Sequence, residues 1–347
     1  MQRFRFGIIG IGNIAPVHAA AIQGTPGGEL VAIATRNPER GKAFADQHGG
    51  AWYADYRELL ARSDIDAVTL CTPHDLHLPM TLAAAESGKH VLCEKPMALT
   101  VAECDEMIQA CQRAGTTLGV VFQGRFEPLA VQLKAAFDAH QLGELVWVSA
   151  NTVWYRSDEY YKSGPWRGTW AHEGGGVVIN QAIHAIDLLQ WLAGRPRRVT
   201  AKARTLHHSI EVEDAALALL EYPGGRLGLI QATTAAFPGS PERLEFYGTR
   251  GSVIYHKGQG RLEWHTVEPR EDRVVEAAAS SGAAAPMDIT ASAHTAQFQD
   301  FVEAVRDTRP PRVDGREGRK SIELVEAIYR SARLDAPVEL PLDRDVV

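Results

Sequence analysis

The feature that most restricts the fold of this chain is Gly10-x-Gly12-x-x-Ala15, which follows a strand-like run, Phe6 to Ile9, and opens a helical pattern from Asn13 to Gln23. Gly10 permits a tight turn, Gly12 lets a ligand approach the backbone, and Ala15 is small enough for the helix to pack close to the strand. Amides at the helix start, among them those of Asn13 and Ile14, then face an anion such as a pyrophosphate. Alone, such a glycine turn joins any strand to any helix. Here it heads β-branched runs that alternate with helical patterns, as in a parallel sheet built from βαβ units. Further strands are expected at Leu30 to Thr35, Ala67 to Leu70, His90 to Cys93 and Leu118 to Phe122. Helices are expected at Pro38 to His48, His77 to Ser87 and Thr100 to Ala114. Nothing repeats at fixed period, which excludes a solenoid.

Open α/β sheets bind ligands beyond the carboxyl ends of their strands, so the residues just after each strand are the candidate cofactor contacts. The second strand ends at Thr35-Arg36, where an NAD-specific site offers an acid to the ribose. A hydroxyl and a guanidinium there suit a 2′-phosphate, so NADP is expected ahead of NAD, although Arg36 equally fits a solvated loop or a stack on adenine. Cys71, Thr72, Pro73 and His74 follow the next strand, with His77 opening the helix beyond. Glu94-Lys95-Pro96 follows the fourth, and Pro96 restricts the backbone on both sides of its peptide bond, which aims the Lys95 ammonium. Gln123 stands after the fifth strand on the cofactor side, and Arg125 is a candidate substrate contact.

Beyond residue 123, Gly174-Gly175-Gly176 leads into a helical pattern over Val177 to Leu192, which Gly194 and Pro196 end. Asn180, His184, Asp187 and Trp191 form one polar stripe on it, and the other faces are apolar. Buried polar groups need partners, so the stripe faces chain, water or ligand. A core histidine paired with Asp187 is one reading; the other is a proton acceptor, His184, whose tautomer Asp187 holds while Asn180 assists. Tyr155, Tyr161, Trp166 and Arg167 lie in a stretch that interleaves aromatics with cations. It suits a sugar ring carrying an anionic group, and it equally suits a protein interface.

The 347 residues exceed one ordinary core, so two domains, or one domain with a large addition, are expected. The formal charge of −7 is interspersed and holds no basic block, which argues against nucleic acid. No run reaches the roughly 18 apolar residues of a membrane span, and the charged start, Met1 to Arg5, reads as no signal peptide. A cytoplasmic protein without membrane partners is expected. Cys71, Cys93, Cys104 and Cys111 form no Cys-x-x-Cys pair and have no histidines at zinc spacing, so reduced thiols and no metal are expected.

Gly10-x-Gly12, Glu94-Lys95-Pro96 and the helix carrying His184 three residues before Asp187 together resemble the glucose-fructose oxidoreductase, inositol dehydrogenase and MocA family over nearly the whole chain. The resemblance implies an α/β Rossmann domain, 1–122, then an α+β domain, 123–347, with a large, mostly antiparallel open sheet that binds substrate and forms a homodimer or homotetramer, the last helices being able to pack back on the first domain. Strand-like runs agree with it: Val146 to Val153, Val199 to Leu206, Ala215 to Tyr222, Leu227 to Thr233, Arg243 to Tyr247 and Gly251 to Tyr255. A low-complexity loop, Ala277 to Pro286, and helices Ala293 to Asp307 and Arg316 to Arg333 complete the expected order. By resemblance Lys95 and His184 are the catalytic pair of a nicotinamide-dependent oxidoreductase that moves a hydride to or from a secondary alcohol of a sugar, nucleotide sugar or polyol. Many relatives carry Asp and Gly where this chain has Asn180 and Ala182. Asn takes up no proton, so His184 is assigned proton transfer and Asn180 an orienting hydrogen bond. Trp166-Arg167-Gly168-Thr169 with Gly174-Gly175-Gly176 and Asn180-Gln181 is similar to the branch that includes nucleotide-linked amino-sugar uronate 3-dehydrogenases. A glycosidase that oxidises its sugar only transiently and a dinucleotide-sensing regulator without chemistry are the alternatives.

Overall fold

The computed structural model describes residues 3–267, 273–274 and 291–342; the low-complexity stretch from Ala277 to Pro286 lies outside them. The chain divides into two compact units, Met1–Phe126 with Thr290–Arg319, and Glu127–Ile289 with Lys320–Val347.

The first unit is built on six strands: β1 Phe4–Ile9, β2 Gly28–Ala34, β3 Ala51–Tyr53, β4 Ala67–Leu70, β5 His90–Cys93 and β6 Leu118–Val120. They pair in the order β3-β2-β1-β4-β5-β6, and every pairing is parallel. Strands covered on both faces need continuous apolar runs, and all four residues of β4 are buried. Helices α1 Ala15–Gly24, α2 Pro38–His48, α3 Tyr56–Leu60, α4 His77–Glu86 and α5 Val101–Ala114 make the crossovers. Their ends follow capping chemistry. Asn37 accepts from the Arg40 amide ahead of Pro38, Thr100 accepts from the Glu103 amide, and Gly115 closes α5 in the left-handed region. The order of strands reverses direction between β1 and β4, where doubly wound sheets hold their ligands. The sheet has one strand more than the sequence reading expects, because β3 is a three-residue edge strand, too short to show a period.

In the second unit α6 Pro128–Asp138 precedes β7 Leu145–Val153, and three helices follow, α7 Asp158–Lys162, α8 Val177–Asn180 and α9 Ile183–Ala193. Next come β8 Arg198–Arg204, β9 Ala215–Glu221, β10 Leu227–Thr233, β11 Arg243–Gly248, β12 Gly251–His256, β13 Arg261–Thr266 and β14 Arg273–Val274. Helix α10 Ser292–Arg306 lies in the first unit, α11 Gly315–Leu334 runs from the first unit into the second, and β15 Val338–Glu339 follows. The nine strands form one sheet, β14-β13-β12-β11-β7-β10-β9-β8-β15, parallel only between β7 and β10. One face is buried, with Val148, Ala150, Ala218, Leu220, Ile230, Phe246 and Val253 in its core. The other leaves Leu217, Leu219, Leu227 and Tyr247 exposed, the alternation of a sheet covered on one side. Among the described residues no helix is long and apolar enough to cross a membrane.

The single helix expected over Val177 to Leu192 is corrected to two. The Ala182 amide donates to the Val177 carbonyl, five residues back, so the turn widens at Gln181-Ala182 and α9 starts afresh at Ile183. Asn180 therefore sits on a different helix from His184, Asp187 and Trp191.

Candidate active site

In the first unit the glycine loop meets the loop after β4. Gly10 has φ +90°, and a Cβ there would stand 2.7 Å from the Cys71 carbonyl oxygen, so no other residue fits without moving that backbone. The Gly10 amide donates to the Ala34 carbonyl at 2.9 Å, Gly12 and Asn13 are exposed, and Ile14 is half-buried. Ala15 is fully buried, as close packing of α1 requires, and no side chain caps the helix start. Uncapped amides beside an exposed glycine suit a bound anion.

The remaining cofactor candidates surround this point. The Thr72 Oγ1 and Gln123 Oε1 atoms are buried and find no hydrogen-bond partner among the described residues. Two orphaned oxygens beyond neighbouring strand ends are what a polar cofactor would satisfy, so the residues present fit a nicotinamide dinucleotide. Cys71, His74 and His77 are buried, and Pro73 is half-buried. The His77 ring lies 2.8 Å by Nδ1 from the Pro96 carbonyl and 3.1 Å by Nε2 from the Thr72 carbonyl. It ties the loop carrying Lys95 to the loop beside Gly10, and burial holds its pKa below the ordinary histidine value. Glu94 is buried and Lys95 half-buried. Thr35 is held through its carbonyl by the Trp52 indole at 3.0 Å, and Arg36 is exposed. Arg40, which the sequence reading passed over, donates to the Ile11 carbonyl at 3.1 Å and ties α2 to the glycine loop. Arg125 is buried and pairs with Glu317 at 2.8 Å.

The second unit gathers the aromatic and cationic residues around Tyr160. Its hydroxyl oxygen accepts from Arg167, from Asn180 Nδ2 at 3.3 Å and from Gln181 Nε2 at 3.1 Å. The Arg167 guanidinium lies 4.2 Å from the Tyr160 ring centre and 4.3 Å from that of Trp166. Asn180 also donates to the Glu173 carboxylate, which takes the Gly168 amide. Arg156, buried and held below the usual arginine pKa by that burial, faces Trp154 and Tyr160. Tyr161 is buried with its hydroxyl on Thr234 at 2.7 Å, and Tyr155 packs edge-on against Phe237. Tyr160 is thus a hub that the sequence reading passed over for its neighbour Tyr161: of the two adjacent tyrosines, Tyr161 is buried and the half-buried Tyr160 gathers the polar contacts, a difference only the backbone decides.

His184 and Trp191 are the half-buried residues of α9; its other nine are buried. Asp187 accepts from the Ser321 hydroxyl at 3.1 Å. The glycine run ahead of α8 answers to packing. A Cβ on Gly175 would lie 2.1 Å from the Tyr329 hydroxyl, and one on Gly176 would lie 1.8 Å from the Glu213 carbonyl oxygen. Glu213 accepts from the Gly176 and Val178 amides at 2.9 Å each, and so caps α8 from outside it.

Residues 4–122 match an oxidoreductase family with an NAD-binding Rossmann fold, and residues 130–254 match the C-terminal domain of the same GFO/IDH/MocA group. An uncharacterized oxidoreductase of Bacillus subtilis, YrbE, is 30% identical over 71% of this chain and 72% of its own length. The chain belongs to the GFO/IDH/MocA oxidoreductase family. Within that family it is 27% identical to the inositol 2-dehydrogenase of Rhizobium meliloti, over 94% of this chain and 96% of the relative. The WlbA dehydrogenase from Bordetella pertussis, solved in complex with NADH and UDP-GlcNAcA, superposes with a TM-score of 0.87 at 34% identity, covering 99% of this chain and 100% of that one. The α/β Rossmann domain and the mostly antiparallel open sheet expected from the resemblance are those of the family.

Proposed function

We propose that this family member oxidises or restores a secondary alcohol on a sugar, nucleotide sugar or polyol, with Lys95 and His184 as its catalytic residues. The observation that carries the reading is the His77 tie, which fastens the lysine-bearing loop beside the dinucleotide loop. When bound, the nicotinamide cofactor supplies the hydride acceptor. His184, one of the two half-buried positions of α9, takes the hydroxyl proton. Lys95 stabilises the oxygen as negative charge develops on it. Asn180, committed to Glu173 and Tyr160, orients the substrate without accepting a proton. Arg167, stacked between two rings, suits a carboxylate on the sugar, and an acidic nucleotide-linked sugar is the substrate we favour. Arg36 suits NADP. Four buried cysteines outside any disulfide suit a reducing compartment, and we place the enzyme in the cytoplasm as a homo-oligomer.

The test is nicotinamide absorbance with a panel of sugars, nucleotide sugars and polyols. Reduced cofactor should accumulate in proportion to substrate, and Lys95→Ala or His184→Ala should each lower turnover at least ~100-fold while cofactor affinity is largely kept. Near-normal turnover in either variant removes that residue from the mechanism. Cleavage of a glycosidic bond with no net reduced cofactor would replace a dehydrogenase by a transient oxidant.

A further inference from the structure

Helix α1 is mostly apolar and alanine-rich; its polar side chains are Gln23, which is exposed, and His18, which is wholly buried. Its Nε2 lies 2.7 Å from Glu94 Oε1 and its Nδ1 lies 2.8 Å from Thr69 Oγ1. The other Glu94 oxygen accepts the backbone amide of Lys95 at 3.0 Å, and the Glu94 amide donates to the Leu70 carbonyl at 3.2 Å. His294 of α10 stands behind, its ring centre 5.8 Å from that of His18, and Phe298 packs edge-on at 5.2 Å. Ligand atoms of His18, Glu94 and His294 all lie within 4.8 Å of one another, close enough to suggest a metal site. Both His18 nitrogens, however, are spent on Thr69 and Glu94, so the arrangement is a hydrogen-bonded couple.

We propose that His18 is a positioning residue for Lys95: its imidazolium holds Glu94 as a carboxylate, and that carboxylate fixes the main chain from which the Lys95 ammonium projects. The proposal rests on the assignment of Lys95 given above and adds a residue that never touches substrate. The chemistry of the surroundings supports it. Burial alone lowers a histidine's pKa, but the Cys71 sulfur and the Glu94 carboxylate outweigh it and push His18 up to about 10. Burial likewise raises Glu94, and the His18 hydrogen bond and charge, with His294 and Lys95, more than offset it and hold the carboxyl low. The titratable groups that face the pair are Cys71, Cys93, His77, His294 and Lys95. A buried charge pair with every partner hydrogen-bonded is sensitive to losing one member, because the other is then stranded.

Glutamine at position 18 can still donate one hydrogen bond to Glu94 but carries no charge. Without the imidazolium, burial drives the Glu94 carboxyl upward into the assay range. Once protonated it competes as a donor where the Lys95 amide needs an acceptor. In the purified full-length enzyme with its cofactor and an active sugar alcohol, His18→Gln should lower kcat by roughly 10- to 100-fold and change the cofactor KM less than about 3-fold. Its kcat–pH profile should gain a second limb falling toward low pH, in addition to the one that the proton acceptor His184 gives the wild type. Glu94→Gln combined with His18→Gln should be no slower than the slower single variant, because both act through one couple.

Selective ¹⁵N-histidine NMR gives a readout apart from activity. One ring should keep both N–H protons at pH 8 in the wild type, be absent from His18→Gln, and lose its second proton earlier in Glu94→Gln. Wild-type kcat with an unchanged pH profile in His18→Gln, or a neutral His18 at pH 8, overturns the proposal. If His18→Gln does not fold, the wild-type and Glu94→Gln spectra decide. Full turnover in Lys95→Ala would instead overturn the assignment of Lys95, and the NMR result would still report on the couple.

Discussion

Arg36 and Arg40 stand four residues apart with different work. Arg36 stands two residues beyond the end of β2 with its side chain in solvent, while Arg40 is spent on the Ile11 carbonyl of the glycine loop. A guanidinium free to turn toward a 2′-phosphate discriminates between cofactors, whereas one that braces the loop serves both. Charge-assisted hydrogen bonds are worth about 1.5–3 kcal/mol. Arg36→Ala should therefore weaken NADP binding by roughly 10- to 100-fold and NAD binding by less than about 3-fold. Arg40→Ala should weaken the two by similar factors. Titration calorimetry with both cofactors checks this, and equal losses for Arg36→Ala refute the preference for NADP.

At the scale of elements, helix α8 depends on a residue outside it. Burial pushes the Glu213 carboxyl up to about 7 against two backbone amides and the Tyr329 hydroxyl, which favour its charged form. The folded chain therefore keeps this proton to a higher pH than the unfolded chain, whose carboxyl titrates near 4.5. Stability from this group is complete below pH 4.5 and falls as pH rises toward 7, by about 3 kcal/mol in all. Urea unfolding at pH 5 and pH 7.5 should show a shallower loss in Glu213→Gln than in the wild type; equal slopes would mean that Glu213 is ionised throughout. This cap was invisible in the sequence, since Glu213 stands 37 positions from Gly176. What was legible obeyed local rules. Parallel strands such as β4 and β5 showed as apolar runs, and Gly10 marked a turn with positive φ. The break at Gln181-Ala182 was not legible, because both residues keep right-handed backbone and only the hydrogen-bond ladder shifts. His18 carried a signal that went unused: a polar side chain set among the alanines of an apolar helix face needs a buried partner, as does His184.

For the whole molecule, the homo-oligomer proposed above would join its copies through the face of the nine-stranded sheet that leaves apolar side chains exposed. Leu217 and Leu219 of β9 are 54% and 41% exposed, and Leu227 of β10 is 39% exposed. Pairing sets them in rows: Leu219 opposite Leu229, and Leu227 beside Trp147, which faces Tyr247. An apolar sheet face of this kind suits a two-fold interface, in which each leucine is buried twice. Burying a fully exposed leucine side chain is worth about 1.5–3 kcal/mol, and these two are about two-fifths exposed, so losing two per protomer costs a two-fold association roughly 2–5 kcal/mol, or about 50- to 2500-fold in affinity. Charges on the face add desolvation to that loss. Leu219→Arg with Leu227→Arg should therefore turn the oligomer into a monomer at micromolar concentration in sedimentation velocity. Neither side chain belongs to the core, so the melting temperature of the variant measured as a monomer should stay close to that of a dilute wild-type sample. An oligomer that survives both substitutions would move the interface off this face.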